Sequence, residues 1–175
     1  MNKKAIIVVD MQNDFIDGAL GTKEAQEMLP HLAEKLSHAD GETDILFTMD
    51  THESNYLSTQ EGKKLPVEHC IKPSKGWEIA ATLKSFAEKA KAVVEKPTFG
   101  STKLPEFVAD YDEIELVGLC TDICVISNAL LLKAFYPEKK MSVDASCCAG
   151  VTPESHKNAL NAMKMCQIEI KNYRE

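Results

Sequence analysis

The chain has no long hydrophobic run, no lysine- or arginine-rich block and no C-x-x-C pair. Each absence narrows what it can be. The first apolar run, Ala5 to Val9, stops at Asp10. It is too short to span a membrane, and it lacks the length and cleavage site of a signal peptide, so a cytoplasmic protein is expected. The net charge is −7 with no basic cluster to offset it. That argues against nucleic acid and anionic membrane as partners. Six cysteines are even in number, but without a secretory signal such thiols normally stay reduced. The missing C-x-x-C spacing argues against a structural zinc site or a thioredoxin-type redox pair. A disulfide between the neighbours Cys147 and Cys148 would be strained, so their adjacency reads as incidental. No repeat, linker or low-complexity segment is present, and 175 residues fit one domain, 1–175, with a real core.

What is present alternates. Ala5 to Val9, Ile45 to Met49, Ala92 to Glu95, Glu113 to Gly118, Met141 to Val143 and Ile168 to Ile170 read as strands. Between them, Lys23 to His38, Gly76 to Ala90, Leu104 to Tyr111 and Val125 to Phe135 read as helices, and a last helix opens at Thr152-Pro153. Pro30 falls inside the first of these, which predicts a late start or a bend there. Glu53 to Lys75 reads as a long irregular loop, and loops of that length in a compact domain are usually functional or disordered. Met141 to Val143 runs into a loop over Asp144 to Gly150. This rhythm predicts an α/β fold in three layers, α/β/α, with a mainly parallel central sheet.

The stretch Val117-Gly118-Leu119-Cys120-Thr121-Asp122-Ile123-Cys124-Val125 joins a buried strand to an apolar helix. Cys124 is therefore expected on or near a helix's first turn at a strand's carboxyl end, where the helix N-terminus favours a thiolate. Asp10 and Lys96 also follow apolar strands directly. Taken singly, Asp10 could serve a turn and Lys96 could be an exposed turn lysine. Parallel strands, however, put all three groups on one edge of the sheet, and open α/β sheets bind ligands there. An acid to take the thiol proton, a cation to hold the acid ionised and a thiol to attack make a hydrolytic set. Asp50 and His52 lie at another strand end, spaced so that both side chains point the same way on extended backbone. With Glu61 and His69 from the following loop they can form a mixed nitrogen and oxygen metal site, although histidines and glutamates are also common on surfaces without one.

Three motifs resemble those of the isochorismatase-like cysteine hydrolases. They are Val9-Asp10-Met11-Gln12-Asn13-Asp14-Phe15, Lys96-Pro97-Thr98-Phe99-Gly100-Ser101, and Gly118-Leu119-Cys120-Thr121-Asp122-Ile123-Cys124-Val125. They occur in that family's order, and the resemblance covers nearly the whole chain. It implies a Rossmann-like sheet, Cys124 as nucleophile, Asp10 as general base and acid, and Lys96 as their charged partner. It also implies a cis Leu119–Cys120 peptide, backbone N–H groups of Cys120 and Cys124 as oxyanion donors, and Phe15 as a pocket wall. Asp50-Thr51-His52 with His69 points to the nicotinamidase branch. That branch binds one divalent ion in this loop, zinc first, with iron or manganese as alternatives. It hydrolyses nicotinamide to nicotinate and ammonia. The commonest nicotinamidase pattern has a further histidine shortly after the first, and Tyr56 to Thr59 contains none. Glu61 is the expected replacement ligand, with Glu53 and Glu68 as fallbacks. The alternatives are another small amide or carbamoyl substrate for the same cysteine chemistry, and a non-catalytic metal or thiol sensor. The family often forms homo-oligomers, but nothing in the sequence shows which face would pair.

Overall fold

A computed structural model describes residues 3–173. Six strands form one sheet: β1 (Lys4–Val9), β2 (Thr43–Asp50), β3 (Ala92–Lys96), β4 (Glu113–Leu119), β5 (Lys140–Ala149) and β6 (Glu169–Lys171). Their order is β3-β2-β1-β4-β5-β6, and every pairing is parallel. This is the doubly wound order, and its switch point lies between β1 and β4. Strand β1 is buried along Ala5 to Val9, as a strand covered on both faces must be.

The helices are α1 (Asn13–Ile16), α2 (Lys23–Ser37), α3 (Gln60–Lys64), α4 (Lys84–Glu88), α5 (Leu104–Phe107), α6 (Ile126–Phe135) and α7 (Pro153–Met165). Alternate residues of β1 feed two cores. Ile6 and Val8 pack with Phe15, Met28, Leu32 and Leu83 from α1, α2 and the turn before α4. Ile7 and Val9 pack with Leu104, Ala129, Leu132 and Leu160 from α5, α6 and α7. The expected three-layer α/β/α class is therefore observed. No helix among the described residues is long and apolar enough to cross a membrane.

Four local expectations are corrected. Helix α2 runs through Pro30 without a late start, because Pro30 lies on the exposed side, where water can serve the carbonyl its missing N–H leaves open. The stretch 53–75 is not wholly irregular: a 3-10 turn, Tyr56–Ser58, leads into α3, where the Thr59 hydroxyl caps Gly62 N. Residues 76–80 do not join a helix. Their backbone groups are spent on the loop after β1, with Asn13 N donating to Glu78 O and Ala80 N to Met11 O. Strand β5 continues to Ala149 rather than ending near Val143, with an irregularity that advances from Leu116 to Gly118 on β4 but from Val143 to Cys148 on β5. Cys147 and Cys148 therefore face opposite cores, and all six cysteines are free.

Candidate active site

Asp10, Asp50 and Lys96 stand side by side at the carboxyl ends of β1, β2 and β3. Asp10 directly follows Val9, and the register pairs Asp50 with Lys96. Asp10 takes a left-handed φ of 48°, which turns the chain out of the sheet. Gly118 on β4 must be glycine: it has φ 113°, and a Cβ there would lie 2.2 Å from Val9 O. The Leu119–Cys120 peptide is cis. A π-helical turn, Thr121–Val125, then carries Cys124 into α6, where a regular first helical turn is the sequence expectation.

These residues converge. Lys96 Nζ lies 2.6 Å from Asp10 Oδ2 and 3.6 Å from Asp50 Oδ1. It donates to Cys124 Sγ at 3.4 Å and to Thr98 O at 3.0 Å. Asp10, Lys96 and Cys124 are 0%, 1% and 5% exposed, so the group is screened from bulk water. Thr48 Oγ1 donates to Asp10 Oδ1 at 2.7 Å. Asp10 Oδ2 meets Lys96 as an ion pair but accepts no well-formed hydrogen bond, so it has a lone pair ready for a proton. Burial raises the Asp10 carboxyl above its ordinary pKa, against the opposing pull of Lys96. Burial also pushes the Cys124 thiol well above its usual value, with the charge of Asp10 adding to it and Lys96 opposing. Desolvation at the sheet edge thus opposes the thiolate that a helix N-terminus would favour.

Asp50, His52, Glu61 and His69 each offer one ligand atom, and these atoms lie within 4.8 Å of one another. His52 Nε2 is 2.9 Å from Asp50 Oδ2 and 3.6 Å from Glu61 Oε1. His69 Nε2 is 3.4 Å from Asp50 Oδ2 and 3.6 Å from Glu61 Oε1. His69 Nδ1 lies 2.8 Å from Val67 O. A proton on Nδ1 would serve that carbonyl and leave the Nε2 lone pair facing the cluster, the arrangement a metal-ligating histidine uses. Two imidazole nitrogens and two carboxylates directed at one point fit a divalent ion such as zinc. The fallback glutamates Glu53 and Glu68 are exposed and outside the cluster. Phe15 borders it, its ring 5.5 Å from that of His69. Tyr56 is fully buried and packs on both histidines at 4.8 and 4.9 Å. Asp50 links the two groups, with one oxygen toward Lys96 and the other toward the histidines.

A domain model for the isochorismatase domain matches residues 4–171. The chain belongs to the isochorismatase family. Nicotinamidases are among the proteins it is similar to. The nicotinamidase of Escherichia coli is 28% identical over 202 aligned positions, which cover 94% of this chain and 92% of that protein. The crystal structure of nicotinamidase/pyrazinamidase PncA from Bacillus subtilis superposes with a TM-score of 0.83 at 26% identity, covering 97% of this chain and 100% of that one. A pyrazinamidase of Pyrococcus horikoshii solved in complex with zinc gives a TM-score of 0.82 at 25% identity, covering 98% and 99%.

Sequence reasoning assigned no role to Thr48, Asn128 or Gln12. Thr48 and Asn128 are polar residues inside apolar runs, and that was the available signal. Both are fully buried. Asn128 Nδ2 donates to Cys124 O and Phe99 O, and its Oδ1 accepts from Ser101 N. It thereby ties the cysteine's turn to the loop after Lys96. Trp77, the one tryptophan in the chain, is half-buried and donates from Nε1 to Thr51 Oγ1.

Proposed function

We propose that this chain is a metal-dependent nicotinamidase that hydrolyses nicotinamide to nicotinate and ammonia through a thioester on Cys124, and that it also accepts pyrazinamide. The observation that carries the reading is Lys96 within 2.6 Å of Asp10 and 3.4 Å of Cys124, with Asp50 joining it to the His52, Glu61 and His69 cluster. The nicotinamidases among its relatives support the substrate class.

In this reading Asp10 Oδ2 takes the Cys124 proton as sulfur bonds to the amide carbon. The carbonyl oxygen becomes an oxyanion facing the backbone N–H groups of Cys120 and Cys124, each such donor being worth about 100- to 1000-fold in rate. Asp10 returns the proton to the leaving nitrogen, the C–N bond breaks and ammonia departs. Asp10 then takes a proton from water as its oxygen attacks the thioester, and hands it to the departing sulfur. Lys96 stays protonated throughout. Burial works to lower its pKa, but the charges of Asp10, Cys124 and Asp50 outweigh that and hold it above the usual lysine value. A divalent ion, zinc in this reading, would be held by Asp50, His52, Glu61 and His69 and would supply a Lewis acid for the pyridine ring nitrogen. Phe15 would bound the ring.

The test is ammonia release from nicotinamide by metal-replete and chelator-stripped protein. The reading requires release that falls on stripping and returns with added zinc. Folded, metal-replete protein that releases no ammonia from nicotinamide would refute it.

A further inference from the structure

The β1–β2 ladder ends at Val9 and Thr48, with one more bond from Asp10 N to Thr48 O at 3.1 Å. There the left-handed turn at Asp10 takes β1 out of the sheet, while β2 goes on to Asp50. The N–H and C=O of Asp50 point to the side that β1 has left. The carboxamide of Gln12 fills that position. Its Oε1 accepts from Asp50 N at 2.8 Å, and its Nε2 donates to Asp50 O at 2.8 Å. A side-chain amide thus replaces one peptide unit of the ladder. The second Nε2 proton goes to Trp77 O, also at 2.8 Å. Gln12 is fully buried, so every polar atom of its carboxamide must be matched, and each one is.

We propose that Gln12 is a positioning residue. It lets Asp10 turn inward as the base while holding Asp50 in the sheet, with one carboxylate oxygen toward Lys96 and the other toward the metal ligands. The bond to Trp77 O fastens the 76–80 segment to the same point. This inference rests on the metal reading above. A residue that orients a ligand without touching the ion typically costs 10- to 100-fold in metal affinity when removed.

The experiment measures zinc affinity of the full chain by competition with a chromophoric chelator. Unmodified protein is compared with Gln12→Met, which keeps length and loses all three bonds, and with the milder Gln12→Asn. Asp50→Ala serves as the ligand control. Leu36→Ala, in the last turn of α2 and buried, serves as a destabilised control chosen for a similar loss in Tm. The expected result is zinc binding weakened about 10- to 100-fold in the Gln12 variants, and within about threefold of normal in Leu36→Ala. Hydrogen exchange of the Asp50 amide in unmodified protein supplies a readout that needs no variant. It should be protected like the ladder amides of β2.

If the unmodified chain binds zinc, Asp50→Ala abolishes binding and Gln12→Met matches Leu36→Ala, the metal reading stands and the role of Gln12 is overturned. An Asp50 amide exchanging at loop rates overturns it as well. A folded, unmodified chain that binds no zinc overturns both.

Discussion

Two of the lysine and carboxylate clusters on this sheet are built to opposite ends. At the carboxyl edge, Lys96 faces Asp10 and Asp50. On the α2 side, Lys35 faces Glu115 at 2.5 Å and Asp144 at 2.8 Å, and Lys171 reaches Glu115 at 2.9 Å. Both clusters pair opposite charges at short range. The second is closed: Asp144 also accepts from Ser146 N, Ser146 Oγ and Asn172 Nδ2. Its carboxyl is held below the ordinary value, because the bonds from Lys35 and Ser146 overcome burial's upward push. The first cluster is left open. Asp10 Oδ2 lacks a well-formed hydrogen bond, its carboxyl is pushed up, and a thiol stands beside it. The same pairing of charges thus leaves one carboxylate fully bonded and held down, and the other pushed up beside a thiol.

The largest test of this contrast is to remove each lysine. Lys96→Met should cut turnover at least about 1000-fold, as Cys124→Ala and Asp10→Asn should, while circular dichroism stays native. Lys35→Met should leave turnover within about threefold. Near-normal activity of any of the first three would break the assignment of roles at the carboxyl edge.

Glu61→Ala comes next. It should weaken zinc binding and lower turnover with it, as read by metal content after dialysis. Unchanged metal content would place the remaining ligand elsewhere than Glu61.

The closed cluster should show itself in stability instead. Lys35→Met leaves Asp144 buried without its cation and should cost about 1–3 kcal/mol in urea unfolding. An unchanged urea midpoint would show that Ser146 and Asn172 suffice for Asp144.

The smallest effect is the pH dependence of that stability. The folded pKa of Asp144 lies below its unfolded value of about 3.9, so the unfolded chain binds this proton more readily. The contribution is complete above the unfolded pKa and is lost as pH falls through the lowered folded value. Asp144→Asn should therefore flatten the acid limb of Tm against pH below about pH 5, and an acid limb that stays as steep would assign it to other carboxylates.

The amount of this that could be read from the sequence followed from how local each feature is. Strand β1 and its successor Asp10 were legible because a short apolar run rich in β-branched residues reads as a strand covered on both faces. The Thr152 cap and Pro153 start of α7 were legible because capping is a matter of a few neighbouring residues. Residues 76–80 misled because helical spacing was present, but their hydrogen-bond partners lie some sixty residues earlier. Strand β5 was cut short because its buried carboxylate, Asp144, is satisfied by Lys35 and Asn172, partners that no window of sequence displays.

The sequence by itself determined the alternation of strands and helices, and with it a parallel sheet that gathers Asp10, Asp50, Lys96 and Cys124 on one edge. Strand ends are fixed by local pattern, and parallel pairing brings them together whatever their separation along the chain. Only the tertiary structure decided how those groups are tuned: that burial pushes the Cys124 thiol up, that Glu61 rather than Glu53 or Glu68 joins the histidines, and that Gln12 stands in for a missing peptide beside Asp50. Protonation, ligand choice and bond matching depend on which atoms are dry and within about 3 Å of one another, and those distances exist only once the chain has folded.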